Sequence, residues 1–545
     1  MPTANVAVIG GGLGGIAAAL ACLRRGLSVV LSEETPWLGG QLTAQLVPLD
    51  EHLFIERTGA NRSYRELRDR LRDYYRRNYP LSDQARRDPY LNPGAAWVSP
   101  VSVEPRVAVA VIDELLLPYV SRGLLTVVQP AVPVAVHTQS DRVVGVTLRS
   151  IRTGDEIDVE ARYYLDATET GELLPLGGVE HTSGRESVEQ TGEPHAAATA
   201  DPTDMQAVTW CFVVDHVAGG DFTIDKPAGY DALLRLTHAA DDPTRVISLT
   251  KHVDGVEVPS HVLRPNPQDD PSAIDLDHRR IPPVPDLWTY RRIAAQRQFT
   301  AGAYASDIVV VNWPQNDYAG GPVFGVPDAE QHRQAAKGLS QALLYWLQTE
   351  APRPDGGTGW PGLRLRPDVA GSDDGFALSP YIRESRRIHA RTTIREQDIS
   401  LELRTDGRAR RFEDTVGVGH YFWIDRHPTT GGRGGFGALP APFQVPLGAL
   451  VPVRIGNLLP AAKNIGTTQL TNGSYRLHPV EWTVGEASGA LAAFCVRRGL
   501  TPAQVHESAT LVGDLQADLR SHGAQLSWPD DVRYGPLPAA GHPAS

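Results

Sequence analysis

The chain opens with apolar blocks separated by glycines. Val6-Ala7-Val8-Ile9 is an unbroken apolar run, the pattern of a strand buried on both faces. A Gly-rich turn follows, and the Ala- and Leu-rich residues 16–25 predict a helix that Gly26 ends. Residues 27–31 predict the next strand, so one βαβ unit fits within about 30 residues. Ser63-x-x-Glu66 predicts a capping box. The helix it would open carries Leu67, Leu71 and Tyr74 on one face of an otherwise charged stretch. A further helix is predicted over 107–120, and strands over 124–128, 132–137, 142–149 and 156–166, with a turn at Gly154-Asp155.

Beyond residue 180 the pattern weakens. Residues 181–300 are rich in Pro, Asp, His and Thr, and 352–375 read as a Pro/Gly/Asp-rich loop. Between them a long helix is predicted after Asp328 as N-cap, with Leu339, Leu343 and Trp346 on its apolar face. Residues 445–466 read as strands. Pro479 opens a last helix to about Arg497, with Val484, Leu491 and Phe494 spaced for burial. The first N–H groups of such a helix are unpaired and carry positive character.

Composition adds exclusions. The 545 residues are 41% hydrophobic and 21% charged, which is ordinary for a globular protein. The net charge of −12 counts against a nucleic-acid partner. Lys226, Lys251, Lys337 and Lys463 are the only lysines. Cys22, Cys211 and Cys495 are too scattered for a disulfide framework or a Cys-rich metal centre. The apolar stretch 5–23 is interrupted by glycines, unlike a signal sequence or a membrane span. The expectation is a soluble, cytoplasmic protein with no membrane partner, of undetermined oligomeric state.

Gly10, Gly12 and Gly15 satisfy GxGxxG between a predicted strand and a predicted helix. The first glycine permits the tight turn, the second lets a pyrophosphate approach, and the third lets helix and strand pack closely. Glu33 lies 18 residues past Gly15 at the end of the next strand, placed to accept from a ribose hydroxyl. Gly432-Arg433-Gly434-Gly435-Phe436-Gly437 satisfies the same pattern. It lacks the preceding strand, and Pro440 and Pro442 forbid a regular helix after it. It reads as a flexible loop, either a lid or plain surface.

Gly10 to Glu33 followed by Trp37-Leu38-Gly39-Gly40-Gln41 resembles the start of an FAD-binding flavoprotein. Three further segments are similar to the FAD-dependent oxidoreductases related to the xanthan-lyase-associated flavoproteins and, more distantly, to fumarate reductase. These are Tyr164-Leu165-Asp166-Ala167-Thr168, Pro380-Tyr381-Ile382-Arg383-Glu384-Ser385-Arg386-Arg387, and Asn457-Leu458-Leu459-Pro460-Ala461 through Arg476 to Gly485-Glu486-Ala487-Ser488-Gly489. The resemblance implies an α/β fold: a Rossmann-like FAD-binding domain of glutathione-reductase type with an inserted α+β substrate domain. The implied division is 1–180 and 441–515 for the cofactor domain, 181–440 for the substrate domain, and a poorly ordered tail from 516. It implies cofactor contacts from Gly10, Gly12, Leu13, Gly14, Gly15, Glu33, Glu34, Gly39, Gly40, Gln41, Val134, Asp166, Ala167, Thr168, Lys463, Asn464 and Val480. Two places depart from the family's pattern. Glu169-Thr170-Gly171-Glu172 stands where Gly-Asp is usual, and Ala461-Ala462-Lys463-Asn464 where Ala-Gly-Arg is usual. Lys463 either holds a phosphate, polarises the isoalloxazine or is solvated.

No second dinucleotide motif passes its context test, so the expected reaction takes a hydride from an alcohol, an amine or a C–C bond of a small molecule to flavin N5. Oxygen or another acceptor then reoxidises the flavin. The alternatives are a fumarate-type enoate reductase and a non-redox FAD scaffold. His427, beside Asp425, and His478, at the start of the last helix, are the candidate proton acceptors. Arg383, Arg386 and Arg476 are candidate carboxylate clamps, and residues 312–318 a candidate pocket wall. No metal site is expected.

Overall fold

The computed structural model describes residues 3–239, 242–269 and 284–532. The principal sheet contains β1 (Thr3–Ile9), β2 (Val29–Ser32), β3 (Leu125–Val128), β4 (Ala131–Gln139), β5 (Arg142–Ser150) and β6 (Glu156–Asp166). Strands β3, β2, β1 and β6 lie side by side and parallel, and Leu458–Pro460 adds a parallel strand on the far side of β6. The first residues of β6 also pair antiparallel with β5, which pairs with β4. One long strand thus joins a parallel sheet to an antiparallel ribbon. β2 and the C-terminal parts of β1 and β6 are buried and largely apolar because both faces are covered there, whereas Thr126 of β3 is exposed.

Seven helices matter for the site: α1 (Leu13–Leu23), α2 (Arg62–Asn78), α3 (Pro105–Ser121), α4 (Ala329–Thr349), α5 (Gln469–Tyr475), α6 (His478–Arg498) and α7 (Ala509–Ser521). Helix α1 starts three residues before the predicted 16, directly after Gly12. The capping box at Ser63 is not formed. Asn61 is the N-cap residue, while the Ser63 hydroxyl donates to Glu486 Oε2 and accepts from Trp482 Nε1 on α6. Glu66 instead pairs with Arg24 and Arg70. Asp328 precedes α4 as expected but caps nothing with its side chain. Leu339 and Leu343 are buried, whereas Trp346 is half-buried and Leu347 takes the core position. Residues 445–466 supply only the end of the strand Phe443–Pro446, a 3₁₀ turn and Leu458–Pro460.

The chain between β6 and 440 builds a four-stranded antiparallel sheet in the order Arg292–Ala294, Ile308–Val311, Phe212–His216, Leu363–Leu365. Helix α4 is fastened beside it through Ser340, which donates to Trp210 O and accepts from Asn316. The predicted tail does not begin at 516. Helix α7 runs to Ser521, Leu526 is buried, and Trp528 Nε1 donates to Phe443 O. Residues beyond 532 lie outside the described part. Among the described residues, no helix is long and apolar enough to cross a membrane.

Candidate active site

Two centres share one interior. The first is a cradle at the C-terminal edge of the parallel strands. Gly10 has φ +105°, and a Cβ there would lie 2.1 Å from Ala167 O, so β1 and β6 meet through bare backbone. Gly15 in turn lies against Gly10 O. Leu13 and Gly14 open α1, which crosses α6 without side chains between them. A Cβ on Gly485 would come 1.9 Å from Gly14 O, and one on Gly489 2.4 Å from Ala18 O. This contact brings the N-terminal ends of both helices to one place. Gly39 donates from its N–H to Gly11 O at 2.8 Å, which folds Gly40 and Gln41 over the glycine turn. At Gly12 the missing Cβ faces only side-chain ends, Glu169 Oε1 at 3.2 Å and Glu481 Oε1 at 3.3 Å.

Glu33 is buried and accepts from Gly11 N at 2.9 Å and from both N–H and hydroxyl of Thr35. Burial first, and Glu34 next, raise its carboxyl above the usual range. Glu34 lines the same cleft with Pro133, Thr168 and Arg333. Val134 stands at a register shift between Pro133 and Ala135, so its backbone is left out of the β4–β5 ladder.

Several expected contact residues are occupied by their own turn. Asp166 accepts from Thr168 N and Oγ1 and from Leu173 N. Burial raises its carboxyl to about 6. Thr168 also accepts from Glu172 N. Asn464 donates to Asp166 O and accepts from Ala462 N. Lys463 is bonded to Glu169. At the head of α6, Val480 N and Glu481 N both donate to Leu477 O. Pro479 has no N–H, so this helix end offers fewer free donors than expected. Glu481 Oε1 accepts from Gly14 N at 3.2 Å and its other oxygen from Gln41, whose Nε2 also donates to Arg476 O.

The second centre is a row of charged groups. His427 Nδ1 lies 2.7 Å from Asp317 Oδ2 and Nε2 3.1 Å from Asp425 Oδ2. Asp317 also accepts from Arg383 Nη2 at 2.9 Å and from Thr209. Asp425 accepts from Arg476 Nη2 at 3.1 Å, and Arg476 Nη1 donates to Tyr381 Oη. Burial opposes ionisation of both carboxyls. Arg383 and His427 outweigh it at Asp317, as His427 and Arg476 do at Asp425, and both lie well below the usual range. Although deep in the molecule, the side chains of His427 and Asp425 keep 22% and 32% of their surface accessible, so they border open space. Arg476 and Gln41 link this row to the cradle.

Four expectations are corrected here. His478 is buried and its Nδ1 accepts from Asp50 N at 3.0 Å. Burial lowers its pKa to about 4. The ring is therefore neutral with its proton on Nε2, a donor and not a base. Arg383 has both terminal nitrogens engaged, by Ala207 O and Asp317, so it fixes Asp317 and does not clamp a substrate. Arg386 donates to Thr170 O and covers the Phe324 ring at 4.7 Å. The 432–437 loop is the end of a β-hairpin formed by Ile424–Arg426 and Phe436–Ala438, tied by Arg426 Nη2 to Gly434 O.

Sequence reasoning missed Asp317, although it singled out the segment around it, and missed Glu169, Glu481, Gln206 and His238. Gln206 accepts from His427 N. His238 lies close enough to feel Asp317 and His427. Among the described residues, no group of three His, Cys, Asp or Glu side chains is placed to hold a metal.

The bare Gly12 face, the start of α1 and the unladdered Val134 fit an adenine dinucleotide. The profile of the family described as FAD dependent oxidoreductase matches residues 5–519. No curated protein matches the sequence. Among solved structures, L-proline dehydrogenase from P. horikoshii is 16% identical over 34% of this chain and 24% of that one, with TM-score 0.17. The flavin-dependent brominase Bmp2 is 15% identical over 40% and 46%, with TM-score 0.25. Glycerol-3-phosphate dehydrogenase from Bacillus halodurans complexed with FAD is 13% identical over 39% and 40%, with TM-score 0.24. The match spans less than half of each of those chains, and at these scores the three carry no argument. The family profile covers nearly the whole chain, and on that ground the protein belongs to the FAD dependent oxidoreductase family: an enzyme with FAD as cofactor on a Rossmann-like α/β fold.

Proposed function

We propose that the protein oxidises a small organic substrate, an alcohol, an amine or a C–C bond, passing a hydride to FAD, with dioxygen or another acceptor taking the electrons onward. The observation that carries this reading is the Asp317–His427–Asp425 row, which keeps accessible surface deep in the chain. FAD, when bound, supplies a hydride-accepting centre at N5. The chain's own contribution is to move the proton. Asp317, fixed by Arg383 and Thr209, holds the Nδ1–H of His427. In the neutral ring Nε2 then carries the lone pair that takes the substrate proton, and once protonated it donates to Asp425. Arg476, with its Nε unpaired, is the donor left for a substrate oxygen. Glu33, Glu34, Gln41 and the glycine turn hold the cofactor. In finer detail, we read the cofactor domain as glutathione-reductase-like and its relatives as the xanthan-lyase-associated flavoproteins.

A second reading, reduction of an activated alkene at the same centre, is favoured by one observation. Both ring nitrogens of His427 face ionised carboxylates. The ring makes both bonds only when it carries both protons, and such a ring is a proton donor. Anaerobic mixing separates the two readings. Alcohols or amines that bleach the flavin support oxidation. Enoates that reoxidise the reduced enzyme, with no bleaching by any alcohol or amine, reverse the direction. In either case, an unchanged rate in His427→Asn removes His427 from the chemistry.

A further inference from the structure

We propose that Lys463 and Glu169 act as one unit that presents a buried ammonium to the diphosphate of FAD, Lys463 as the phosphate contact and Glu169 as its positioning residue. The inference rests on the assignment of FAD to the glycine cradle. The side chain of Lys463 is fully buried, and that of Glu169 is 15% exposed. Nζ is bonded to Glu169 Oε2. The other oxygen of Glu169 lies against the glycine turn, where a Cβ on Gly12 would come within 3.2 Å of it and one on Gly40 within 2.8 Å. Glu169, with Glu481 Oε1 at its side, therefore sits over the glycine whose missing side chain meets no backbone, at the helix end where anions are favoured, and Lys463 is bound to the oxygen of Glu169 on the other side.

Neither residue alone suits this position. An ammonium taken out of water is costly unless paired, and a lone carboxylate here would repel a diphosphate. Burial pulls the Lys463 ammonium toward neutrality, but Glu169 and then Glu481 outweigh it and hold the group above its ordinary value. Tyr381 faces Lys463 as well, and Glu34, with Glu172 and Arg333 around it, faces the pair from the other wall of the cleft.

The test is FAD binding by the full chain, read from flavin fluorescence, with ADP as a second probe. Lys463→Met is expected to weaken both ligands about tenfold to a hundredfold, the worth of one charge-assisted hydrogen bond. Lys463→Arg is expected to bind FAD as the unaltered protein does. Glu169→Gln leaves a buried lysine without its main partner. Its FAD affinity relative to the unaltered protein is expected to fall from about pH 7.5 to about pH 9.5 as that lysine loses its proton. The double variant with Lys463→Arg is expected to be level over the same range, because a guanidinium stays charged. Lys463→Met with unaltered affinity, or a Glu169→Gln ratio independent of pH, overturns the proposal and leaves the pair as packing. If Lys463→Met does not fold, Glu169→Gln and the double variant decide. An unaltered protein that binds no FAD refutes the cofactor assignment instead.

Discussion

The cradle and the His427 row are held together by opposite means. In the cradle, backbone meets backbone at Gly10–Ala167, Gly14–Ala461 and Gly485–Gly14, and the contacts exist because side chains are missing. In the row, Asp317, Arg383, the Asp425–His427 pair and Arg476 come from separate segments and meet mainly through their charged ends. The first design tolerates no added atom. The second tolerates substitution of shape but not of charge, since a buried charge without its partner is what destabilises.

Substitutions that exchange the two designs test the contrast. The largest effect is expected from Gly485→Val, whose Cβ would lie 1.9 Å from Gly14 O. Overpacking usually costs about 1–3 kcal/mol, and a clash with backbone at this distance exceeds that. The variant should yield no folded, flavin-bearing protein, as circular dichroism and flavin content would report. His427→Asn should slow anaerobic flavin reduction by about a hundredfold or more and, because it leaves Asp317 and Asp425 without that partner, should also lower the melting temperature. A lowered melting temperature with unchanged reduction would place His427 with the structural groups. Asp317→Ala strands the buried guanidinium of Arg383 and should cost about 3 kcal/mol or more in denaturant unfolding. Asp317→Asn should cost less stability but still slow reduction.

The smallest effect is expected at Glu193. Glu193 accepts from Thr468 and from Glu396 N. Burial raises its carboxyl to about 7. The stability of such a group is fully present below the unfolded value and is lost as pH rises toward 7, because the unfolded chain releases the proton first. Glu193→Gln should therefore gain on the unaltered protein between pH 5 and 8, by something on the order of 1–3 kcal/mol. Equal denaturation midpoints at both pH values would show that Glu193 is not held neutral by the fold.

The same contrast explains what could be read from the chain. Close backbone approach demands glycine at fixed spacing, so Gly10 to Gly15, Gly485 and Gly489 announce themselves locally, as does the Glu33 that follows. The ladder β2–β1–β6 likewise follows from apolar runs bounded by turns. The charged row has no such period, since Asp317 and His427 are 110 residues apart. His478 looked like a base until the Asp50 N–H took its Nδ1, and Ser63 looked like a cap until Glu486, 423 residues on, took its hydroxyl. Lys463 was visible as a rare residue and Glu169 as a departure from pattern, but their pairing was not. In each case the deciding contact lies across the fold, where spacing along the sequence has nothing to say.

The claim on which all this rests is that one cradle, built from both ends of the chain, holds FAD beside the His427 row. The most direct test is the absorption spectrum of the purified protein, repeated on the supernatant and the pellet after acid precipitation. The account predicts a flavin spectrum at close to one FAD per chain, with the fraction that carries the colour telling whether the link is covalent. A colourless protein that takes up no FAD on incubation would contradict it.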